Sequence, residues 1–311
     1  MFESQKLLTF CEFFEVPTEY TGIVERFFSE EEIRFALAHG REMFSTDEAG
    51  ETFVREEYHR GFISKTEENH NLYRLNNFYG MLDVFVVSRK EEYDHKFTEE
   101  ERSRLDAWYF NEYYEWLLSV HSETPTKDVV LPLNEMLDFI DSQGDRPIYL
   151  NVCDCKSLTG KCGLPTKTCI TYKNGINTFA DRGLSERIDV ERAKKIVRDA
   201  DRSGLMHTCN PNGICNCCDD CCYLFRGQKL LNSYGVWPAT AYVVEMDRDA
   251  CVKCGLCVKR CRMQVFEKTD GQIKFNTAHC AGCGLCVNTC PRKALRLVER
   301  KTGEQSEYEK V

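Results

Sequence analysis

The sequence lacks long uninterrupted apolar runs. None of its apolar segments approaches the ~20 residues that a helix needs to span a bilayer, so we expect no membrane span. The first residues, MFESQKLLTFCEFFEV, have no basic segment, no continuous apolar core and no small-residue cleavage site, which together mark a secretory signal peptide. We therefore expect a cytoplasmic protein.

The common motifs of nucleotide binding and hydrolysis are also absent. The chain has no P-loop and no G-x-G-x-x-G segment that opens a βαβ unit. It has neither an H-E-x-x-H metalloprotease motif nor a Ser–His–Asp pattern. These absences exclude the usual nucleotide-dependent and hydrolytic sites, and the sequence predicts no catalytic residue.

The chain is acidic, and its charge is unevenly distributed. Its 311 residues carry 41 Lys and Arg against 50 Asp and Glu, a net charge of −9. Residues 1–120 contain 13 basic and 26 acidic residues, a net of −13, whereas the remainder has a net of +4. This balance disfavours general affinity for nucleic acid, because phosphates are bound mainly by Lys and Arg. It also indicates that the two parts are different modules.

Cysteine is the residue that the chain has in excess. There are 19, and apart from Cys11 all of them lie between Cys153 and Cys290. In a secreted protein such a density indicates disulfides, whereas in a reducing cytoplasm it indicates metal ligands. Because we expect a cytoplasmic location, we favour metal binding.

Two cysteine runs near the C-terminal end share one spacing, C-x2-C-x2-C-x3-C. Their members are Cys251, Cys254, Cys257 and Cys261 in the first run and Cys280, Cys283, Cys286 and Cys290 in the second. Each iron of a [4Fe–4S] cluster needs one thiolate, and cysteines at intervals of three wrap a tight loop around one face of the cluster. Gly255 and Gly284 let the backbone approach closely. Zinc sites usually pair C-x2-C units that are far apart, so this spacing favours iron–sulfur clusters.

These two runs resemble the bacterial-type two-cluster ferredoxins over about residues 243–299. The resemblance implies a pseudo-twofold α+β domain with two [4Fe–4S] clusters and one-electron transfer at low potential. It also implies that the fourth cysteine of each run begins a short helix and binds the other cluster. The implied ligands are Cys251, Cys254, Cys257 and Cys290 for cluster I, and Cys280, Cys283, Cys286 and Cys261 for cluster II. Arg262 departs from the pattern, since it stands where the second run has Pro291.

Ten further cysteines form two groups in the middle of the chain. The first group is Cys153, Cys155, Cys162 and Cys169, and the second is Cys209, Cys215, Cys217, Cys218, Cys221 and Cys222. All except Cys209 are candidate ligands of one or two additional iron–sulfur clusters, with zinc or a metal-free region as the alternatives. Dense free thiols without metal would oxidise. Neighbours such as Cys217 and Cys218 cannot easily serve one iron, so we expect them to point to different clusters, or one of them to be structural.

The C-x-C, C-N-C-C and C-C elements ahead of a ferredoxin-like module resemble poorly characterised 4Fe–4S binding proteins of anaerobes. That resemblance covers about residues 130–299. It implies electron transfer and leaves the allocation of the middle cysteines open.

The N-terminal region has helical patterns followed by an aromatic segment. Glu30–His39 predicts a short helix, and residues 71–87, interrupted at Asn76, predict a hairpin. Helices followed by such a hairpin resemble a winged-helix domain. The candidate recognition stretch, residues 46–65, has five acidic and three basic residues. This composition would repel phosphates, so a docking domain is the alternative to DNA binding.

Other segments also show clear patterns. Residues 97–120 predict an aromatic, buried helix, and Asp189–Ser203 predicts an amphipathic helix that begins at the N-cap Asp189 and ends at Gly204. In the ferredoxin-like segment we expect strands at 242–245 and 295–298 and a hairpin at 265–275.

We expect an α+β fold with three domains. They are an acidic, mainly helical, winged-helix-like domain at 1–120, a cysteine-rich iron–sulfur domain at 121–241 and a two-cluster ferredoxin-like domain at 242–299, followed by a polar tail at 300–311. The favoured function is an electron-transfer protein or oxidoreductase subunit that passes single electrons through several [4Fe–4S] clusters. Its expected partner is a redox protein or a larger oxidoreductase complex. The alternatives are a redox-sensing regulator with a winged helix, and a reductase whose middle cluster has an open iron for substrate.

Overall fold

A computed structural model of the chain describes residues 4–300. The polar tail predicted at 300–311 lies outside the described residues from Lys301 onward. The chain divides into two units, which are the residues up to Tyr109 together with Asn174–Glu186, and Phe110–Lys173 together with the chain from Arg187 onward. Both units mix helices with strands, so the predicted α+β class is confirmed. The three-domain division stays a prediction.

The first unit is mainly helical and carries one small antiparallel sheet in the order β1-β3-β2. Its helices are α1 (Ser4–Phe13), α2 (Val24–Phe27), α3 (Glu30–His39), α4 (Thr46–Ala49), α5 (Glu51–Arg60), α6 (Phe78–Ser88) and α7 (Lys90–Lys96), with a 3-10 turn at Thr18–Ile23. Its strands are β1 (Phe44–Ser45), β2 (Ile63–Lys65) and β3 (Leu72–Leu75). Helix α8 (Glu99–Ser119) begins in this unit and ends in the second. The predicted helix at Glu30–His39 is confirmed, and a capping box of Ser29 and Glu32 fixes its start.

The hairpin predicted at residues 71–87 is wrong in its second half. Asn77 caps a helix there, since its side-chain oxygen accepts a hydrogen bond from the Gly80 N–H at 2.8 Å. The hairpin instead joins β2 to β3, with Ile63 opposite Leu75. From α3 to β3 the order of elements is therefore a helix, a strand, two helices and a hairpin. The winged-helix resemblance stays a prediction.

The segment Asn174–Glu186 belongs to this unit although it lies between strands of the second one. Arg182 is buried and donates hydrogen bonds to the carbonyl oxygens of Tyr58 and Ile63 and to the Ser64 hydroxyl. The Tyr58 hydroxyl in turn donates to Asp181. A guanidinium with its donors satisfied inside the protein is the contact that holds this segment in the unit.

The second unit is built on a six-stranded sheet in the order β4-β8-β9-β6-β5-β7. The strands of this sheet are β4 (Val129–Val130), β5 (Ile148–Asn151), β6 (Cys169–Thr171), β7 (Glu186–Ile188), β8 (Met206–Asn210) and β9 (Gly213–Cys217). Its helices are α9 (Leu133–Asp141), α10 (Asp154–Thr159), α11 (Val190–Ser203) and α12 (Tyr223–Leu231). Residues of α9 and α11 pack with Leu150, Ile170 and Ile214 in one apolar core. The predicted α11 is confirmed, with Asp189 as N-cap and Gly204 in the left-handed conformation at its end.

The C-terminal part of this unit repeats one pattern twice. Its elements are β10 (Tyr242–Met246), α13 (Leu256–Arg260), β11 (Phe266–Thr269), β12 (Gln272–Phe275), a 3-10 turn at Thr277–His279, α14 (Leu285–Thr289) and β13 (Leu295–Glu299). The two strands and the hairpin predicted here are present: β11 pairs with β12 in the hairpin, and the two strands, β10 and β13, pair with each other. The expectation that the fourth cysteine of each run begins a helix is wrong. Cys261 and Cys290 instead follow the last turns of α13 and α14, because the helices begin at the glycine between the second and third cysteines.

None of the helices within residues 4–300 combines the length and the apolar character that crossing a membrane requires.

Candidate metal centres

The eight cysteines of the two runs line two separate cavities. The cysteines of the first cavity are Cys251, Cys254, Cys257 and Cys290. The cysteines of the second are Cys261, Cys280, Cys283 and Cys286. Each cavity thus takes three cysteines from one run and the fourth from the other. These are the two sets that the sequence predicts, brought together by the fold.

The backbone around both cavities is shaped for close approach to the sulfur atoms. Gly255 and Gly284 have positive φ and stand at the N-caps of α13 and α14. The N–H groups of Val265 and Ala294 donate to the sulfur atoms of Cys261 and Cys290, at 3.4 and 3.3 Å. Such hydrogen bonds stabilise a thiolate and are among the features that set the potential of an iron–sulfur cluster.

The two cavities differ in exposure. Cys280 and Cys286 of the second cavity are buried, whereas Cys254 of the first is exposed. Val252 and Leu256, which also line the first cavity, are 57% and 41% exposed. Burial raises the pKa of Cys283 to about 12, so its thiol stays neutral unless a cation compensates it. The first cavity is therefore lined by the more exposed residues of the two.

The end of α11 contacts the segment after α13. Arg260 donates to the carbonyl oxygens of Asp201 and Arg202, and Arg262 donates to that of Gly204 at 3.1 Å. The carbonyl groups at a helix C-terminus lack intrahelical partners and attract cations. Arg262, which replaces the expected proline, therefore fixes the second cavity to α11 and also lines this cavity.

Six of the middle cysteines form one continuous set of thiol contacts, which we call the six-thiol group. In order of contact they are Cys155, Cys153, Cys169, Cys215, Cys217 and Cys222. The sulfur atoms of Cys217 and Cys222 are 3.3 Å apart. Contacts with the thiols of Cys169 and Cys217 lower the pKa of Cys215 to about 6. The Cys215 side chain therefore favours the thiolate form even without metal.

The alternation of side chains along strands explains the six-thiol group. Successive residues of a strand point to opposite faces of the sheet, so Cys215 and Cys217 of β9 share a face. Cys169 of β6 lies on that face too, and Thr208 pairs directly with Cys215. Cys209 is one residue further along β8 and lies on the other face, where it pairs with Ile214 in the apolar core. The alternation of side chains along the strands thus places Cys209 on the opposite face of the sheet from Cys169, Cys215 and Cys217.

A second, smaller set contains Cys162, Cys218, Cys221 and Asp220, which we call the three-thiol group. The sulfur atoms and one carboxylate oxygen all lie within 4.8 Å of one another. Its members pack against Ala200 and Leu205. The two thiol groups therefore do not follow the order of the cysteines along the chain, because Cys162 joins Cys218 and Cys221 while its sequence neighbours join the six-thiol group. The adjacent pairs divide between the two groups, and their allocation to clusters stays a prediction.

Lys156 is a buried residue beside the middle cysteines that the sequence analysis missed. The residue is 3% exposed, and its ammonium group donates to the carbonyl oxygens of Pro165 and Asn216 and to the Thr168 hydroxyl. Burial lowers its pKa, but the thiols of both middle groups, Cys153 first, raise it more. A buried ammonium needs a negative partner, and these cysteines would supply it once metal binding deprotonates them. The position of Lys156 directly after Cys-x-Cys was the available signal.

A family model described as a 4Fe-4S dicluster domain matches residues 244–297. All eight cysteines of the two runs lie within this span, which is well under half of the chain. No curated protein matches the chain. The chain therefore contains an iron–sulfur cluster-binding domain, and an iron–sulfur electron-transfer role follows in general terms.

Proposed function

We propose that the chain is an electron-transfer protein or an oxidoreductase subunit that exchanges single electrons between a redox enzyme and a carrier. The observation that carries the proposal is that two cavities are each lined by four cysteines in the three-plus-one pattern of a two-cluster ferredoxin. A [4Fe–4S] cluster supplies reversible one-electron chemistry when bound.

The residues present fit two such clusters. The proposed ligands are Cys251, Cys254, Cys257 and Cys290 for cluster I and Cys280, Cys283, Cys286 and Cys261 for cluster II. All four thiols of the second cavity are buried or half-buried, and gathering four thiolates there is unfavourable unless metal neutralises their charge. The sulfur atoms also receive backbone N–H groups, as described for Cys261 and Cys290.

The difference in exposure between the cavities supports a direction for electron exchange. The surface around cluster I carries Val252 and Leu256. Four exposed cations also stand close in sequence to its ligands, namely Lys253, Lys259, Arg292 and Lys293. An apolar centre with a cationic margin is complementary to an acidic protein. We propose that cluster I faces an acidic redox partner, while cluster II connects to the middle of the chain.

We further propose that the six-thiol group holds one additional iron–sulfur cluster. Six thiols in one continuous series of contacts exceed what one metal ion can bind, so a polynuclear centre fits them better than a single ion. Lys156 supplies a positive charge against the thiolates from within the protein. The total would then be three iron–sulfur clusters per chain.

Anaerobic purification with iron and sulfide analysis and EPR spectroscopy tests this count. Two cubanes give about eight irons per chain, and a third of the same type gives about twelve. A value near eight would contradict the cluster in the six-thiol group and leave the two cavities in place. Fewer than eight irons in protein that is reconstituted and folded would contradict the proposal as a whole.

A redox-sensing regulator is the second candidate, because α3 to β3 follow the element order of the winged-helix resemblance. The exposed side of α5 presents Glu51, Arg55 and Glu56, and the turn between β2 and β3 presents Glu67 and Glu68. This acidic surface opposes phosphate binding and favours a docking role for the unit. Binding to genomic DNA fragments decides between them, since a specific complex would establish the regulator and its absence would remove it.

A further inference from the structure

The three-thiol group has the dimensions of a site for a single metal ion. Its four donor atoms all lie within 4.8 Å of one another. Around a tetrahedral zinc ion, with Zn–S bonds of about 2.3 Å, neighbouring donors are about 4 Å apart. The four thiolates of a cubane bind four different irons, so they cannot all lie this close to one another. Among residues 4–300, neither four-cysteine set of the C-terminal cavities forms a group this tight. The second unit therefore contains cysteine groups with two different distances between their donor atoms.

Backbone hydrogen bonds prepare two of these sulfur atoms to carry negative charge. The Leu164 N–H donates to the sulfur of Cys162 at 3.4 Å, and the Cys221 N–H donates to that of Cys218 at 3.4 Å. Cys218 and Cys221 are separated by two residues, which is the usual spacing of a zinc-binding pair. A disulfide would use two of the three thiols and would not need the carboxylate of Asp220.

We propose that Cys162, Cys218, Cys221 and Asp220 bind one zinc ion, distinct from any iron–sulfur cluster of the chain. Three thiolates and one carboxylate complete a tetrahedral shell, and zinc accepts sulfur and oxygen ligands together. The ion would join the loop after α10 to the turn before α12, and these two segments are far apart in sequence. Cys217 and Cys222, the sequence neighbours of Cys218 and Cys221, belong to the six-thiol group instead.

The role we assign to this zinc ion is structural. Ala200, Leu205, Cys218 and Cys221 are buried together, so one side of the site is an apolar wall. Asp220 is the exposed ligand, and its carboxylate closes the shell toward solvent. Metal binding at such a site adds directly to folding stability. This inference stands independently of whether the six-thiol group holds iron.

The test is metal analysis and X-ray absorption at the zinc edge of the full chain, purified anaerobically. About one zinc per chain is expected beside the iron, with three sulfur atoms at about 2.3 Å and one oxygen at about 2.0 Å. Absence of zinc, or iron in its place, would overturn the proposal, as would a shell of four sulfur atoms. The measurement needs no variant, so it decides the question even if a substitution prevents folding.

Two variants then locate the ion. Cys162→Ser is expected to lose zinc and to keep its iron and its EPR spectrum, whereas Cys209→Ser, a buried thiol outside both groups, keeps both metals. Loss of iron from Cys162→Ser would overturn the zinc site and place this cysteine on a cluster with three cysteine ligands. That result would favour the reductase alternative with an open iron. The zinc content thus tests the zinc site, and the iron content tests the iron–sulfur clusters separately.

Discussion

Cys217 and Cys222 place their sulfur atoms 3.3 Å apart, although Cys218 and Cys221, which lie between them in the chain, contact a different group. The side chains of β9 alternate up to Cys217, and the turn that follows brings Cys222 back to the same side. One six-residue segment therefore contributes cysteines to both of the metal centres that we propose for the middle of the chain. It follows that substitutions at adjacent positions should affect different metals.

The exchange of the fourth cysteine between the two C-terminal sites gives a first prediction. Cys290→Ala should abolish the EPR signal that Cys254→Ala abolishes, because both residues line the first cavity. Each variant is expected to lose about four irons. Cys283→Ala is the matched control, because Cys283 is nearer to Cys290 in sequence than Cys254 is but lines the second cavity. If Cys290→Ala instead reproduces Cys283→Ala, the assignment is wrong.

Strand parity gives a second prediction, on the six-thiol group. Cys215→Ser should remove the additional iron, because its thiol contacts those of Cys169 and Cys217. Cys209→Ser in the neighbouring strand should leave the iron content unchanged, because Cys209 lies in the apolar core. Iron and sulfide analysis of both proteins checks this. Equal iron loss in both variants would contradict the division of the thiols.

The buried ammonium of Lys156 gives a third prediction. Lys156→Met should destabilise the folded chain by about 3 kcal/mol or more, because it leaves buried negative charge without its partner. The additional iron should be lost more readily to a chelator. Lys161→Met, at an exposed position in the following loop, is the control. Anaerobic denaturant unfolding measures the stability, and an unchanged midpoint for Lys156→Met would refute the role of this residue.

The cationic margin of the first cavity gives a fourth prediction, which rests on cluster I binding there. Lys253→Glu together with Lys293→Glu should slow oxidation of the reduced protein by anionic hexacyanoferrate by about tenfold at low salt. Oxidation by a cationic hexaammine ruthenium complex should become faster. Both effects should fade as ionic strength rises, because exposed charges are screened. Lys127→Glu together with Lys173→Glu, at two exposed positions far in sequence from the ligands of the first cavity, provides a variant of equal charge change, and identical rates for it would show that only net charge matters.

A buried carboxylate in the first unit gives a prediction on pH dependence. Burial, and then the neighbouring Glu32, raise the pKa of Glu57 to about 9. A carboxyl group whose folded-state pKa is raised contributes stability that is complete below its unfolded value and is lost as pH rises through about 9. Glu57→Gln should therefore stabilise the chain by at least about 1 kcal/mol at pH 8 and have little effect near pH 4.

Thermal unfolding of the full chain at several pH values measures this difference. Glu56→Gln is the matched control, because the Glu56 side chain is exposed and should show no such trend. A stabilisation by Glu57→Gln that does not grow with pH would contradict the proposed protonation of Glu57.

Local patterns predicted many elements correctly. The helix at Asp189–Ser203 has its cap, its apolar face and its terminal glycine within one short segment, so no distant contact was needed. The hairpin at 71–87 failed because a run of apolar and aromatic residues fits a buried helix as well as a strand, and the cap at Asn77 decides between them. Asn174–Glu186 could not be assigned to the first unit, since nothing in its sequence indicates the buried contacts of Arg182.

The sequence alone identified the eight cysteines of the C-terminal domain as candidate cluster ligands. Their three-residue spacing is local, the chain repeats it, and the glycines that the tight loops require stand beside them. Only the tertiary structure decided how the ten middle cysteines divide. That division depends on which strands are neighbours, on which face each side chain lies, and on a contact between Cys162 and a turn more than fifty residues away. Spacing along the chain carries no information about such contacts, because the fold, not the local sequence, brings those segments together.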